Sequence, residues 1–221
     1  MIWQFDHKLA PPRYWVDEKE GRKRILGREV DRGQKLDYQD YRLGFRKIAS
    51  NTNERTLVST LIPANFCSEN FQCAVRYSLL GERLLGLQVC TLLAGFFNSF
   101  VLDYFLRQRV SANINFFYMY QLPVPRLTEK DPQFMPIVGR AARLICTTPE
   151  FDDLAREVGL RSHKDGVADA AGRAKLRAEL DGLIAHLYGL TEEEFGHILA
   201  TFPLVAEDVK AAALGEYRRL G

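Results

Sequence analysis

The side chains best suited to chemistry in this sequence are hydrogen-bond donors set around two β-rich runs. Arg42 and Arg46 alternate with Tyr41, Leu43 and Phe45. A strand would put the two arginines on one face and the apolar residues on the other. Lys47, Asn51, Asn53 and Arg55 follow, around the polar run that leads into TLVSTLI. Guanidinium, ammonium and amide groups in such an array suit phosphate oxygens and base edges. A second basic group, Arg22, Lys23, Arg24, Arg28, Arg32 and Lys35, is interleaved with acids between Asp17 and Asp40. Each group also has the plainer reading of a solvated surface.

Catalytic patterns are missing from the chain. His7, His163, His186 and His197 are scattered, and GxSxG, HExxH and GxxxxGK[ST] do not occur. The acids around Lys19 (DEKE) sit in a polar run with no strand to hold them around Mg²⁺. Asp131-Pro132-Gln133-Phe134 superficially matches the Asp/Asn-Pro-Pro-aromatic tetrad of amino-methyltransferases. Gln133 replaces its second proline, and no glycine-rich turn for a nucleoside cofactor accompanies it, so it reads as a helix entrance. Cys67, Cys73, Cys90 and Cys146 form no CxxC pair, and no histidine lies near Cys67 and Cys73. Neither a zinc site nor a disulfide framework is expected. We expect no catalytic residue, metal or cofactor on this chain.

The elements that must position the donors can be read in order. The 221 residues allow one large domain or two small ones, and 47% hydrophobic content suffices for a core. Net charge is +2, with thirteen Lys/Arg against nine Asp/Glu in residues 1–60 and an acidic excess beyond. That balance suits local phosphate contact on a neutral body. IWQF and Arg13 to Val16 read as short strands separated by a turn at Pro11-Pro12, and residues 17–40 as a ribbon or a helix. Residues 41–63 read as a hairpin or two neighbouring strands, and residues 64–80 as irregular. The apolar section 84–106 is long enough to raise a membrane span. Gly95, Asn98-Ser99 and Asp103 argue instead for two consecutive buried helices. INFFYMYQL reads as a strand, with Asn115 hydrogen-bonding at its start, and stops at Pro123 and Pro125.

The remainder reads as helical. Thr148-Pro149 opens one helix. Leu176, Leu180, Leu183, Ile184 and Leu187 form a stripe closed by Gly189. Thr191 and Glu194 make a capping box ahead of Phe195, Ile198, Leu199 and Phe202. His186 reads as packing. The N-terminus lacks the build of a signal peptide, so reduced thiols and a cytoplasmic location are expected.

Six ordered blocks then carry a family resemblance: MIWQFDHK, PRYWV, YRLGFRKIASNTNERTLVSTLIP, FFNSFVLDYFLRQRV, NINFFYMYQLPVPRL and RAELDGLIAHLYGLTEEEFGHILATFP. Together they resemble the C-terminal portion of large single-chain type II and related restriction–modification enzymes with an adenine-specific DNA methyltransferase. The family's cofactor-binding and catalytic parts have no counterpart here. The resemblance thus implies double-stranded DNA recognition without chemistry. S-adenosylmethionine would belong to a methyltransferase or restriction domain or subunit acting as partner, which flips out the adenine. It implies an α+β fold: a DNA target-recognition domain over 1–127, with a twisted sheet and packed helices, then a helical part over 128–221. The block from Arg46 to Thr56 is shared by relatives with different targets, so Arg42, Arg46, Asn53 and Arg55 are expected to touch phosphate or to hold the sheet. Arg22, Arg24, Arg28 and Arg32, with the loops near Asn70–Arg76 and Ser111–Asn113, are then expected at base edges. The rival expectation is a module that docks a methyltransferase subunit and barely touches DNA.

Overall fold

The computed structural model describes residues 2–7 and 15–221. The Pro11-Pro12 turn and the start of the expected strand at Arg13 lie outside them, and Trp15 and Val16 are in neither helix nor strand. The fold is α+β, as expected: nine α-helices and one small antiparallel sheet among the described residues. IWQF forms a tight turn, with Trp3 bridged to Asp6, where a strand was expected. Phe5 takes a positive φ of 64° there, donates its N–H to the Ser59 carbonyl and is buried.

Residues 17–40 contain a helix, α1 (Glu18–Leu26). Asp17 caps its start by accepting from Glu20 N–H, and acids in its first turn oppose basic residues in its last. Its Leu26 joins Leu36, Tyr38 and Phe66 in a small apolar cluster of their own.

The sheet has the order β2-β1-β3, with β1 (Arg42–Arg46), β2 (Ser59–Ile62) and β3 (Phe71–Cys73). Arg42 pairs with Ile62 and Gly44 with Thr60 on one side, and Gly44 with Cys73 on the other. The two neighbouring strands at 41–63 are as read, while β3 arises inside the stretch expected to be irregular. The alternation leads one to expect a single apolar face, but β1 is buried on both faces as far as Phe45. A Cβ at Gly44 would lie 2.3 Å from a Phe71 ring carbon, so only glycine admits this crossing.

The apolar section forms α2 (Leu87–Phe97) and α3 (Phe100–Arg107), bent by 67° at Asn98-Ser99. No helix among the described residues is long and apolar enough to cross a membrane by itself. Ser99 caps α3, as its type suggests. Gly95, expected to end a helix, lies inside α2 instead. A Cβ there would come within 2.9 Å of the Ile137 side chain, so the glycine serves close packing. Asn98 does more than end α2. Its amide accepts from Ser59 N–H at 3.0 Å and donates to the Ser59 carbonyl at 3.0 Å, standing in for a strand partner at the free edge of β2.

INFFYMYQL is not a strand. It holds α4 (Phe116–Met119), whose first turn is capped by the Asn115 side chain. Phe116 and Tyr120, four residues apart, stack at 5.8 Å, a spacing that only a helical turn provides.

Helices α5 (Phe134–Ile145), α6 (Asp152–Glu157), α7 (Ala170–Leu187), α8 (Glu192–Ala200) and α9 (Glu207–Leu220) complete the chain. Thr148-Pro149 opens a single 3₁₀ turn ahead of α6, the Thr191–Glu194 capping box is formed, and Gly189 ends α7 with φ of 67°. His186 packs as read, stacked 4.0 Å from the Tyr217 ring. One buried cluster runs from Leu43 and Phe45 through Leu92 and Phe96 to Ile137, Leu180 and Phe195. It crosses position 127 without a break, so the sheet and the C-terminal helices share a core.

Candidate nucleic-acid interface

At the Arg46 end of the sheet three loops meet. Ala49 N–H donates to the Ala112 carbonyl at 3.1 Å and Ile114 N–H to the Lys47 carbonyl at 2.7 Å. Lys47 N–H donates to the Asn70 carbonyl at 2.9 Å. The segments 47–54, 68–70 and 111–115 are thereby held side by side through backbone bonds. Asn51, Thr52, Asn53, Ser68, Asn70, Ser111 and Asn113 are all exposed there, the first three also bonded through their side chains to Ser50. Helix α4 and the residue that ends it add two aromatic rings, Phe117 at 69% exposure and Tyr120 at 82%. Phe116 anchors the helix by packing edge-on against Phe45.

The first loop is fixed from beneath. Ser50 N–H donates to the Asn53 side-chain oxygen at 2.8 Å, closing a local turn. Arg107 donates to the carbonyls of Asn51 at 2.7 Å and Asn53 at 2.9 Å while lying over the Phe202 ring at 4.0 Å. Arg55 follows the loop inward. It pairs with Asp103 at 2.8 Å, donates to the Asn98 carbonyl at 2.6 Å and lies over Phe100. Burial pushes the Asp103 carboxyl up, against the pull of Arg55, and burial also lowers the Arg107 guanidinium. Thr56 N–H completes the carboxylate's partners. A desolvated ion pair is tolerable only when its lone pairs are satisfied in this way.

The arginines expected at DNA therefore divide. Arg55 and Arg42 are buried, and Arg42 donates to the Asn65 side chain at 3.1 Å, so these two hold the sheet rather than face outward. Arg46 is half-buried and donates to the Arg55 carbonyl at 2.9 Å. Asn53 lies in the exposed loop. Arg22 is bound to Asp31 at 2.7 Å and to the Gln34 carbonyl at 2.8 Å, which holds Asp31 down at about 2. Arg24, Arg28 and Arg32 are exposed. They belong to the α1 segment, which leads into the opposite, Arg42 end of β1. The stretch Asn70–Arg76 splits as well. Asn70 joins the loop cluster, but Arg76 is 1% exposed and donates to the Tyr41 carbonyl at 2.8 Å. Missed in the sequence were Arg107, whose clamp needs a residue 54 positions away, and the paired aromatics of α4, masked by their β-favouring types.

Elsewhere, a cavity of about 590 Å³ is lined by Lys35, Asp40, Arg76, Arg83 and Glu157 among others, with its charges answering one another. Asp131 accepts from Thr128 N–H at 2.7 Å and from the Thr128 hydroxyl at 2.8 Å, closing the turn ahead of α5. No group of three or more His, Cys, Asp or Glu side chains among the described residues is arranged to hold a metal. No family model, curated protein or solved structure matches the chain.

Proposed function

We propose that the chain is the DNA target-recognition module of a restriction–modification type adenine methyltransferase. It acts without a catalytic site of its own, and S-adenosylmethionine is bound by the partner methyltransferase part. The observation that carries this reading is the convergence of three polar loops at one sheet end beside the exposed Phe117 and Tyr120. Amides and hydroxyls on a rigid base suit base-edge readout, and an exposed ring can stack on a base or wedge between base steps. Arg24, Arg28 and Arg32 are left for phosphates.

The test is duplex binding at low salt, alone and with a methyltransferase partner. Asn51→Ala or Asn113→Ala should cost about 1–3 kcal/mol on the preferred site only. Arg24→Ala, Arg28→Ala and Arg32→Ala should weaken all duplexes alike and lower the salt slope by about one unit per lost contact. Affinity indifferent to all five changes in both formats removes the reading. The docking alternative would then stand, and Trp15 at 86% exposure with Val16, Ile25 and Val30 around α1 favours it.

A further inference from the structure

Cys67 and Cys73 flank five residues, and nothing in that spacing announces a pair. The fold nevertheless brings their sulfurs to 3.6 Å. Cys73 is the last residue of β3, opposite Gly44, and Cys67 precedes the loop that turns into that strand. Cys67 is exposed, whereas Cys90 and Cys146 are buried. Beside the pair lies Arg42, 7% exposed, with an Nε that has no hydrogen-bond partner among the described residues. A buried guanidinium with an unused donor is best answered by an anion, and the neighbouring thiolate is one.

We propose that Cys67 and Cys73 are a redox-active dithiol, with Cys67 the peroxide-reactive nucleophile and Cys73 the resolving thiol. The Cys67 thiolate attacks one oxygen of hydrogen peroxide. The O–O bond breaks, and the departing hydroxide takes up a proton to become water. Cys73 then gives up its proton and attacks the resulting sulfenic sulfur. The S–S bond forms as the S–O bond breaks, and the second hydroxide leaves as water with that proton. Two electrons pass from two thiols to one peroxide, leaving one disulfide and two waters.

The electrostatics point the same way. A hydrogen bond from Cys73, and after it the Arg42 guanidinium, hold the Cys67 thiol down at about 6 against burial. The same bond and burial push Cys73 up, as suits a thiol that reacts second. Burial pushes Cys90 to about 11 and Cys146 to about 12, making both inert internal controls. The sulfurs must approach from 3.6 Å to bonding distance, a shift open to Cys67 because neither helix nor strand holds it. The bond would staple 68–70, which carries the Asn70 carbonyl and Glu69 to Lys47, against the sheet.

The experiment uses the whole reduced chain treated with hydrogen peroxide, then unfolded in urea with N-ethylmaleimide so that every remaining thiol is alkylated, and mapped by mass spectrometry. The expected result is loss of two alkylatable thiols, a Cys67–Cys73 linked peptide that dithiothreitol reverses, and untouched Cys90 and Cys146. Cys73→Ser should leave a sulfenic acid on Cys67 that dimedone traps, and Cys67→Ser should leave Cys73 alkylatable and unlinked. Circular dichroism establishes that each variant is folded. In the parent, Cys67 alkylation by iodoacetamide should be half-maximal near pH 6 rather than near about 8.5. Four alkylatable thiols after peroxide, or over-oxidation of Cys67 without the link, would overturn the proposal.

Discussion

Burying a guanidinium is costly where a donor goes unanswered, and a carboxylate and a carbonyl answer Arg55 whereas the Arg42 Nε has no partner among the described residues. Arg55 illustrates the arrangement, with Asp103 on one side and the Asn98 carbonyl on the other. Asp181 belongs to the same region and is less well matched. It accepts from Phe100 N–H at 2.9 Å, yet burial pushes its carboxyl up to about 6. The folded chain then binds this proton more tightly than the unfolded chain does. Stability should fall as pH rises from about 4 to about 6, and stay on the lower plateau above that range. Asp181→Asn keeps an oxygen for the Phe100 N–H and cannot ionise. It should exceed the parent's stability by roughly 1–3 kcal/mol at pH 7 and match it below about pH 4. Urea midpoints at the two pH values measure this, and a difference that ignores pH would show that the carboxyl is not destabilising when charged.

At the scale of elements, the loop 47–54 is tethered by a side chain that reaches up from a helix. Arg107, on the last turn of α3, ties two carbonyls that would otherwise be free, and Phe202 supports the guanidinium from below. Arg107→Ala should therefore free the loop while the sheet remains paired. Amide exchange at Thr52 to Glu54 should quicken by at least about tenfold, with β1 and β2 unchanged. Under the recognition reading, site-specific DNA affinity falls in the same variant. Uniformly faster exchange across the sheet would show that the clamp supports the fold as a whole. Asn98 is a parallel device, one side chain serving as helix end and strand partner together.

At the scale of the molecule, the sheet is too small to fold on its own strands. The sheet has three strands of three to five residues, of which β1 and β2 gain their buried face from α2, and α2 packs in turn on α5 and α7. Arg173, on α7, closes the circuit by pairing with Asp6 at 2.9 Å near the N-terminus. Unfolding should consequently be a single cooperative transition, with fluorescence and circular dichroism coincident. Fragments 1–127 and 128–221 should each lack a cooperative melt, since each would expose half of one core. A cooperative melt of either fragment alone would show that the contact of α2 with α5 does not join them into one folding unit.

What could be read from the chain by itself was whatever neighbouring residues decide. Alternation placed β1, the Asn98-Ser99 pair broke the apolar section, and Thr191 with Glu194 opened α8, because a cap or a pleat is completed within a few positions. INFFYMYQL marks the limit of that reasoning. Its aromatics favour strands, but the Asn115 cap and the packing of Phe116 on Phe45 outweigh a preference worth at most about 1 kcal/mol. Only the tertiary structure decided which donors face water. Arg42 and Arg55 look as available in the sequence as Arg24 and Arg28, and differ because Asn65 and Asp103 arrive from 23 and 48 positions away. The meeting of the three loops, and of Cys67 with Cys73 across β3, has the same origin. Side chains are brought together by strand register and core packing, which depend on the whole chain and leave no local pattern to read.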